Sequence, residues 1–296
     1  MATLYTQQSK NISRTWFLMI LFFIVVIAVG FVFGQAYNSP GILYFAIIFS
    51  IFMNVLSYWY SDKIVLAMYK SVLVTNESHP DLYNSVENLS ITAGLPMPKV
   101  YVIPDPAPNA FATGRNKDHA AVAVTSGLLQ ILNKTELEGV LAHELAHIGN
   151  RDTLLSTVVI VLVGFIALLS NIFLRSAMWG GMRRDNDSKA GGVFILIGFI
   201  FAIFAPISVT LIQLAISRKR EYLADASGAL MTRYPEGLAS ALQKISQHSR
   251  PMMRANKATA HLFIANPFGG VGKRVSGLLA THPPAEDRIR ILREMA

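Results

Sequence analysis

The residues of this chain best suited to chemistry are two histidines that lie four positions apart, with a glutamate directly after the first. They are His143, Glu144 and His147, in the segment His-Glu-Leu-Ala-His. Residues four apart share one face of a helix, so both imidazoles can bind one metal ion. Glu144 is then placed to hold a water molecule at that ion, as in zinc-dependent peptide hydrolysis. The alternative is a helix with two incidental histidines, in a chain that has only seven.

A catalytic zinc site needs a third protein ligand and an open position for water. Glu221 is the best candidate, because it lies in the polar segment 217–225, directly after a long apolar run. Asp225 follows it at helical spacing and shares its face. We expect Asp225 to accept the second ring proton of His143 and so to fix its tautomer. These ligands predict one Zn2+ per chain; the alternative is a solvated helix face on which Glu221 pairs with a neighbouring arginine.

The local sequence predicts the helix that carries the two histidines. Thr135-Glu-Leu-Glu138 has the spacing of a capping box, in which the first and fourth residues satisfy each other's backbone N–H groups. The helix is expected over 136–148, with Gly149 at its end.

The composition indicates membrane-spanning segments. Of the 296 residues, 52% are apolar and 15% are charged, whereas soluble domains carry about 25% charged residues. The net charge of +8 fits lysines and arginines that orient membrane helices, and no aromatic and basic cluster indicates a nucleic-acid surface. The absence of cysteine excludes disulfides, thiolate catalysis and cysteine metal ligands.

Four long uncharged runs each reach about 20 residues, the length that a helix needs to cross the hydrocarbon core. They span 15–34, 41–61, 154–174 and 191–216. The first exceeds the roughly 7–15 apolar residues of a signal peptide and is interpreted as a retained anchor. Two runs separate the histidines from Glu221, so two crossings, or one re-entrant hairpin, return all the ligands to one side of the bilayer.

Basic residues beside the runs leave the path of the second hairpin open. A cytoplasmic N-terminus and first hairpin are favoured by the flanking residues Lys10, Arg14, Lys63 and Lys70. The loop between the third and fourth runs is basic as well, although it would lie outside if both runs cross. Its charges are those of Arg175, Arg183, Arg184 and Lys189. Either the flanking basic segments dominate, or the last two runs enter the bilayer without crossing it.

The predicted fold is an α-helical integral membrane protein with four apolar helices and an α+β zincin-like catalytic domain. Residues 1–61 would form an N-terminal transmembrane hairpin, and 154–216 a second transmembrane or re-entrant hairpin. Residues 62–153 and 217–296 would form the two halves of the catalytic domain. The first half is expected to hold the helix of His143 and His147, and the second half the helix of Glu221 and Asp225. The first half is also expected to hold a helix at 80–93 and three strands of a small sheet, at 99–103, 109–113 and 119–125.

Four stretches of the chain resemble the HtpX family of bacterial membrane metallopeptidases, which are related to the prenyl-protein CAAX endopeptidases. They are 143–147, 221–225, 109–112 and 281–284. The resemblance implies a multi-pass zinc gluzincin of the bacterial inner membrane, with its catalytic domain facing the cytoplasm, that cleaves misfolded or damaged membrane proteins. It also implies that His143, His147 and Glu221 are the ligands and that Glu144 is the general base.

The resemblance extends to the region that would hold the substrate. Asn109, Ala110, Phe111 and Ala112 resemble an edge strand to which an extended substrate adds as a further strand. The alternative is an ordinary half-buried strand.

Two residues near the C-terminus resemble groups that support the reaction. His282, in Thr-His-Pro-Pro, resembles a residue that steadies the developing oxyanion, although the two prolines equally suit a turn before a helix. Arg288 is expected to assist His282 in steadying the oxyanion. Its alternative is a solvated position on a charged helix beside Asp287 and Arg290.

The partners expected are membrane-protein or unfolded polypeptide substrates and the lipid bilayer, without nucleic acid. Three rival interpretations are a metal-binding scaffold without catalysis, a small transporter and a peptidase confined to prenylated substrates. Glu144 argues against the scaffold, because metal binding alone needs only the ligands. The apolar runs contain no ionisable residue, which argues against the transporter.

Overall fold

The computed structural model of the chain describes residues 4–36, 38–164, 218–256, 258–269 and 283–295. Its first two elements are long helices, α1 (Leu4–Ala36) and α2 (Pro40–Met68), which pack against each other. The two helices come close together at Gly30, where a Cβ would lie 2.3 Å from the Cβ of Ala46. Such small residues let the backbones of membrane helices come together.

Helices α1 and α2 are each long and apolar enough to cross a membrane, over Ser9–Phe31 and Pro40–Met68. They contain the first two predicted apolar runs but extend beyond them. The first eleven residues of the third run belong to α6 (Asp152–Gly164), which bends by 81° from the helix before it. The rest of the third run and the whole of the fourth, 191–216, lie outside the described residues.

Apolar side chains of α6 join those of α1 and α2 in one buried cluster, which includes Leu18, Phe22, Met53, Leu155 and Leu162. Large side chains on the other faces of α1 and α2 are exposed, among them Trp16, Phe17, Phe45 and Ile48. An apolar surface of this extent is typical of contact with lipid or a partner.

A mixed four-stranded sheet lies in the polar part of the chain. Its strands are β1 (Val72–Leu73), β2 (Lys99–Ile103), β3 (Ala110–Asn116) and β4 (His119–Thr125). The strand order is β1-β2-β4-β3, with β2 parallel to β4 and the other pairs antiparallel. The small sheet predicted from the sequence is confirmed; β2 and β4 have the predicted bounds, and β3 is shifted from 109–113.

The described residues form six further α-helices in the polar part of the chain. They are α3 (Pro80–Ala93), α4 (Ser126–Ile131), α5 (Lys134–Gly149), α7 (Arg218–Thr232), α8 (Pro235–Gln247) and α9 (Ala285–Glu294). Helix α5 lies at the centre and contacts α3, β3, β4, α7 and α8. This position explains why nearly every residue of α5 from Glu136 to Ile148 is buried. The predicted boundaries at 61/62 and 153/154 fall inside the continuous helices α2 and α6.

The N-terminus of α5 has a capping box, but at a different pair of residues from the predicted Thr135 and Glu138, so that prediction is wrong. The Asn133 side chain accepts from the Glu136 N–H, and the Glu136 carboxylate accepts from the Asn133 N–H. The earlier pair is favoured because Glu136 also receives hydrogen bonds from Ser240 and Lys244 of α8.

Candidate metal centre

Three side chains converge where α5 meets α7. The Nε2 atoms of His143 and His147 lie 3.2 Å apart. Glu221 of α7 places Oε2 3.8 Å from His143 Nε2 and Oε1 3.6 Å from His147 Nε2. The structure therefore brings together the three ligands predicted from the sequence, although Glu221 lies 74 positions after His147 in the chain.

The spacing of these donor atoms fits a single zinc ion. Zinc bonds to histidine nitrogen and carboxylate oxygen are about 2.0–2.2 Å long, and tetrahedral geometry then puts neighbouring donors roughly 3.3–3.6 Å apart. The two imidazole nitrogens, 3.2 Å apart, lie close to that range. The nearest Glu221 oxygen is Oε1 for His147, at 3.6 Å, and Oε2 for His143, at 3.8 Å, and one oxygen lies within 4.8 Å of both nitrogens. Two imidazoles and one carboxylate are also a donor set that suits zinc and leaves a fourth position for water.

A second set of contacts orients His143. Its Nδ1 lies 2.9 Å from Asp225 Oδ1, on the helix that carries Glu221. Residues 221 and 225 share one face of α7, as their spacing predicts, so both reach α5. The contact directs the Nε2 atom of His143 toward the metal position, although the role of Asp225 in metal binding stays a prediction.

Arg288 of α9 holds Asp225 in place. Its Nε donates to Oδ2 at 2.8 Å and its Nη2 to Oδ1 at 2.6 Å. The solvated position considered for Arg288 is wrong, because only 1% of the residue is exposed. The charged residues next to Arg288 in the sequence suggested an exposed helix, but α9 buries the face that carries Arg288 and Leu292. Since two of its nitrogens bind Asp225, the geometry favours a positioning role over contact with an oxyanion.

His147 has a carboxylate partner that the sequence did not reveal. Asp152 Oδ2 lies 3.0 Å from His147 Nδ1. A residue five positions later would not share the face of His147 on a continuous helix. The chain instead turns at Arg151, whose φ of 57° is left-handed, and α6 leaves at 81° to α5. An acidic residue just after the expected helix end at Gly149 was the only available signal.

Glu144 lies between the two histidines in sequence and is 1% exposed. The backbone N–H of Ala112 in β3 faces its carboxylate and favours the charged form of Glu144. Burial, together with the charge of the Glu221 carboxylate, raises the pKa of Glu144 to about 7, against the opposing charge of His147. The group can therefore gain or lose a proton near neutral pH.

The two histidines differ in their affinity for protons. Burial lowers the pKa of His143 to about 4, although Asp225 opposes the change. Burial alone would also lower the pKa of His147, but the hydrogen bond to Asp152 and the charge of Glu221 outweigh it and raise the pKa to about 9. In the metal-free site the proton is therefore held on His147.

Strand β3 is the last strand in the order of the sheet, and its predicted substrate residues fall into two groups. All four are buried, and Asn109 lies directly before β3. The Asn109 amide bonds both backbone groups of Ala265, and Phe111 packs against Phe263. The backbones of Ala110 and Ala112 point away from β4. The Ala110 carbonyl accepts from Ile264 N–H at 3.0 Å, and the Ala112 N–H faces Glu144.

His282 lies outside the described residues, and its role in steadying the oxyanion stays a prediction. Asp152, which the sequence did not predict as a site residue, contacts the ring nitrogen of His147 that faces away from the other ligands.

The site combines two imidazoles from one helix, a carboxylate from a second helix and a buried glutamate beside them. The chain also has two apolar helices long enough to span a membrane. Together these features are those of a membrane metallopeptidase. The comparison with protein families agrees, because the model described as Peptidase family M48 matches residues 76–296. The chain belongs to peptidase family M48 and is a metalloendopeptidase.

The resemblance to the HtpX family is confirmed by relatives that match nearly the whole chain. The Protease HtpX homolog of Caldanaerobacter subterraneus subsp. tengcongensis is 49% identical over 298 residues, which cover 99% of this chain and 98% of that protein. The Protease HtpX homolog of Pyrococcus furiosus is 48% identical over 285 residues, which cover 96% and 95%.

A solved structure shares the fold. Crystalline Ste24p of S. mikatae superposes with a TM-score of 0.51 at 18% sequence identity, covering 90% of this chain. The chain spans 62% of the length of that structure. At this identity the likeness shows the fold alone.

Proposed function

We propose that this chain is a zinc-dependent membrane endopeptidase in which His143, His147 and Glu221 bind one Zn2+ and Glu144 is the general base. The observation that carries the proposal is the convergence of the three donor groups within 3.2–3.8 Å of one another. A scaffold without catalysis would not need Glu144, which is buried beside the ligands.

The chemistry proposed is hydrolysis of a peptide bond by water. When bound, zinc supplies Lewis-acid chemistry: it makes a water acidic near neutral pH and polarises the substrate carbonyl. Glu144 accepts the proton of the attacking water and delivers it to the leaving amine. Its pKa of about 7 suits both transfers. Asp225 and Asp152 hold the two imidazoles in the tautomer that leaves each Nε2 free for the metal.

The substrate is proposed to bind as an extended strand along β3. Backbone pairing of this kind reads little side-chain identity, which suits unfolded polypeptides. Since the Ala110 carbonyl already accepts from Ile264 and the Ala112 N–H faces Glu144, the substrate would pair with β3 from the Ala112 carbonyl onward. In this proposed arrangement the peptide bond to be cleaved would lie beside the general base.

The cellular role proposed is quality control of misfolded or damaged membrane proteins at the bacterial inner membrane, with the catalytic halves, 62–153 and 217–296, on the cytoplasmic side. The HtpX resemblance supports this role. The position of the site supports it as well, because α6 begins five residues after His147 and packs with the two apolar helices. A polypeptide that leaves the bilayer beside these helices would therefore be close to the metal centre.

The proposal is tested by Glu144→Gln in full-length protein purified in detergent or nanodiscs. The variant keeps the ligands and the shape of the side chain, so we expect one zinc per chain. Its cleavage of an unfolded model protein should fall by about 10²–10⁴-fold, the usual contribution of a general base. Glu138→Gln, six residues earlier on α5 and half-buried, is the matched control. Cleavage by Glu144→Gln at the wild-type rate would contradict the mechanism.

A further inference from the structure

Helix α1 carries a buried polar residue, Asn11, near the start of its apolar segment. Asn11 is 1% exposed. Its Nδ2 donates to Asp152 Oδ1 at 2.6 Å and to the Asn150 carbonyl at 3.3 Å, across 139 and more residues of sequence. Its Oδ1 accepts from Arg220 Nη1 at 3.3 Å. A buried amide is costly unless its groups are paired, and here both ends are used.

These contacts lead directly to a proposed metal ligand. The two oxygens of Asp152 have different partners. Oδ1 accepts the hydrogen bond from Asn11 Nδ2 and lies 3.5 Å from Arg220 Nε. Oδ2 lies 3.0 Å from His147 Nδ1. Asn11 therefore fixes the rotation of the carboxylate that fixes the imidazole. Arg220 is the residue directly before Glu221, so the same contacts join α1 and α6 to the helix of the third ligand.

The location of Asn11 is what makes this arrangement informative. A helix that serves only as an anchor needs no polar contact with the catalytic domain, and an amide at this position would be less costly if it faced water. The Asn11 side chain instead enters the buried space behind His147, where 95% of Asp152 is hidden from solvent.

We propose that Asn11 is a positioning residue of the metal centre, so that the first apolar helix is part of the site and not only its anchor. This inference rests on the proposed ligand role of His147. Groups that orient a ligand histidine typically change metal affinity by about 10–100-fold. Asn11 acts through Asp152, so loss of its side chain should lower zinc affinity by about tenfold, the lower end of that range.

The experiment measures zinc affinity by chelator competition in full-length protein in nanodiscs. Asn11→Leu keeps the approximate side-chain volume and removes the amide donor and the amide acceptor. Asn11→Asp keeps the side-chain shape and puts a second carboxylate beside that of Asp152, which repels it. The first should weaken zinc binding by about tenfold and the second by more. Thr15→Val is the control, because Thr15 is buried one turn further on and its hydroxyl donates only to the Asn11 carbonyl. We expect the control to bind zinc as the wild type does.

A double-variant comparison separates positioning from general damage to the fold. If Asn11 acts through Asp152, Asn11→Leu combined with Asp152→Asn binds zinc as Asp152→Asn does alone. Additive losses, or wild-type affinity of Asn11→Leu, would overturn the proposal. The visible spectrum of the Co2+-loaded protein gives a second readout, which should change in Asn11→Leu and stay unchanged in Thr15→Val.

His143→Ala distinguishes failure of this inference from failure of the proposed function. Loss of metal in His143→Ala with normal binding in Asn11→Leu sinks only the inference about α1. Normal binding in His143→Ala sinks the metal site itself.

Discussion

Gly228 of α7 lies directly against the backbone of His143: a Cβ at Gly228 would come within 3.0 Å of the His143 nitrogen. Gly228 shares the face of α7 that carries Glu221 and Asp225. The absence of a side chain at this point therefore sets the distance between the helix of the imidazoles and the helix of the carboxylates.

Gly228→Ala should push α7 away from α5 and weaken the site. We expect a loss of about 1–3 kcal/mol of stability, the usual cost of overpacking, together with weaker zinc binding, because Glu221 moves with α7. Gly149→Ala is the control, since a Cβ there meets only Leu95 at 3.8 Å. Thermal unfolding and zinc affinity of the two variants check this. A Gly228→Ala protein that binds zinc normally would show that this approach does not set the geometry.

Arg288→Met should destabilise the protein strongly. The substitution leaves the Asp225 carboxylate buried without its two hydrogen bonds, and breaking a buried pair from one side costs about 3–5 kcal/mol. Arg290→Met is the matched control on the same helix, because Arg290 pairs with Glu294 at the exposed surface and should change stability by less than about 1 kcal/mol. Equal unfolding temperatures of the two variants would contradict the assignment.

Zinc binding should release a proton from His147 below pH 9. The pKa of His147 is raised to about 9 in the metal-free site, and zinc binds only the neutral imidazole. Affinity should therefore rise with pH from 7 to 9 and level off above that. His143, with a pKa of about 4, is already neutral and adds no proton.

Calorimetry at pH 7.5 in buffers of different ionisation enthalpy measures this proton. Asp152→Asn removes the negative charge that helps to raise the pKa of His147, so the zinc affinity of the variant should depend less on pH between 7 and 9. The same steep dependence in Asp152→Asn would contradict the stated cause.

Glu136 should stabilise the fold in a pH-dependent way. Burial would raise the pKa of Glu136, but Lys244, the Asn133 N–H and Ser240 outweigh it and lower the pKa below its usual 4.5. A carboxyl with a lowered folded-state pKa stabilises the protein above its unfolded pKa and loses that effect as pH falls. Glu136→Gln should therefore be less stable than the wild type at pH 7, with the difference shrinking below about pH 4.5. A difference that stays constant from pH 7 to pH 3.5 would exclude this explanation.

What the sequence predicted correctly depends on local patterns. His143 and His147 share a helical face whatever surrounds them, and prolines and glycines mark the ends of α3 and β2. The missed contacts depend on how distant segments pack. Asp152 reaches His147 only because the chain turns at Arg151, and Asn11 meets Asp152 only because α1 packs against α6. No spacing along the chain encodes either contact.

The central claim is that Glu221 completes a metal site begun by His143 and His147. Zinc content and affinity of the purified Glu221→Ala protein, measured beside the wild type and Glu144→Gln, test it most directly. The account predicts one tightly bound zinc per chain in the wild type and in Glu144→Gln, and loss of that zinc in Glu221→Ala. One zinc held with wild-type affinity by Glu221→Ala would contradict it.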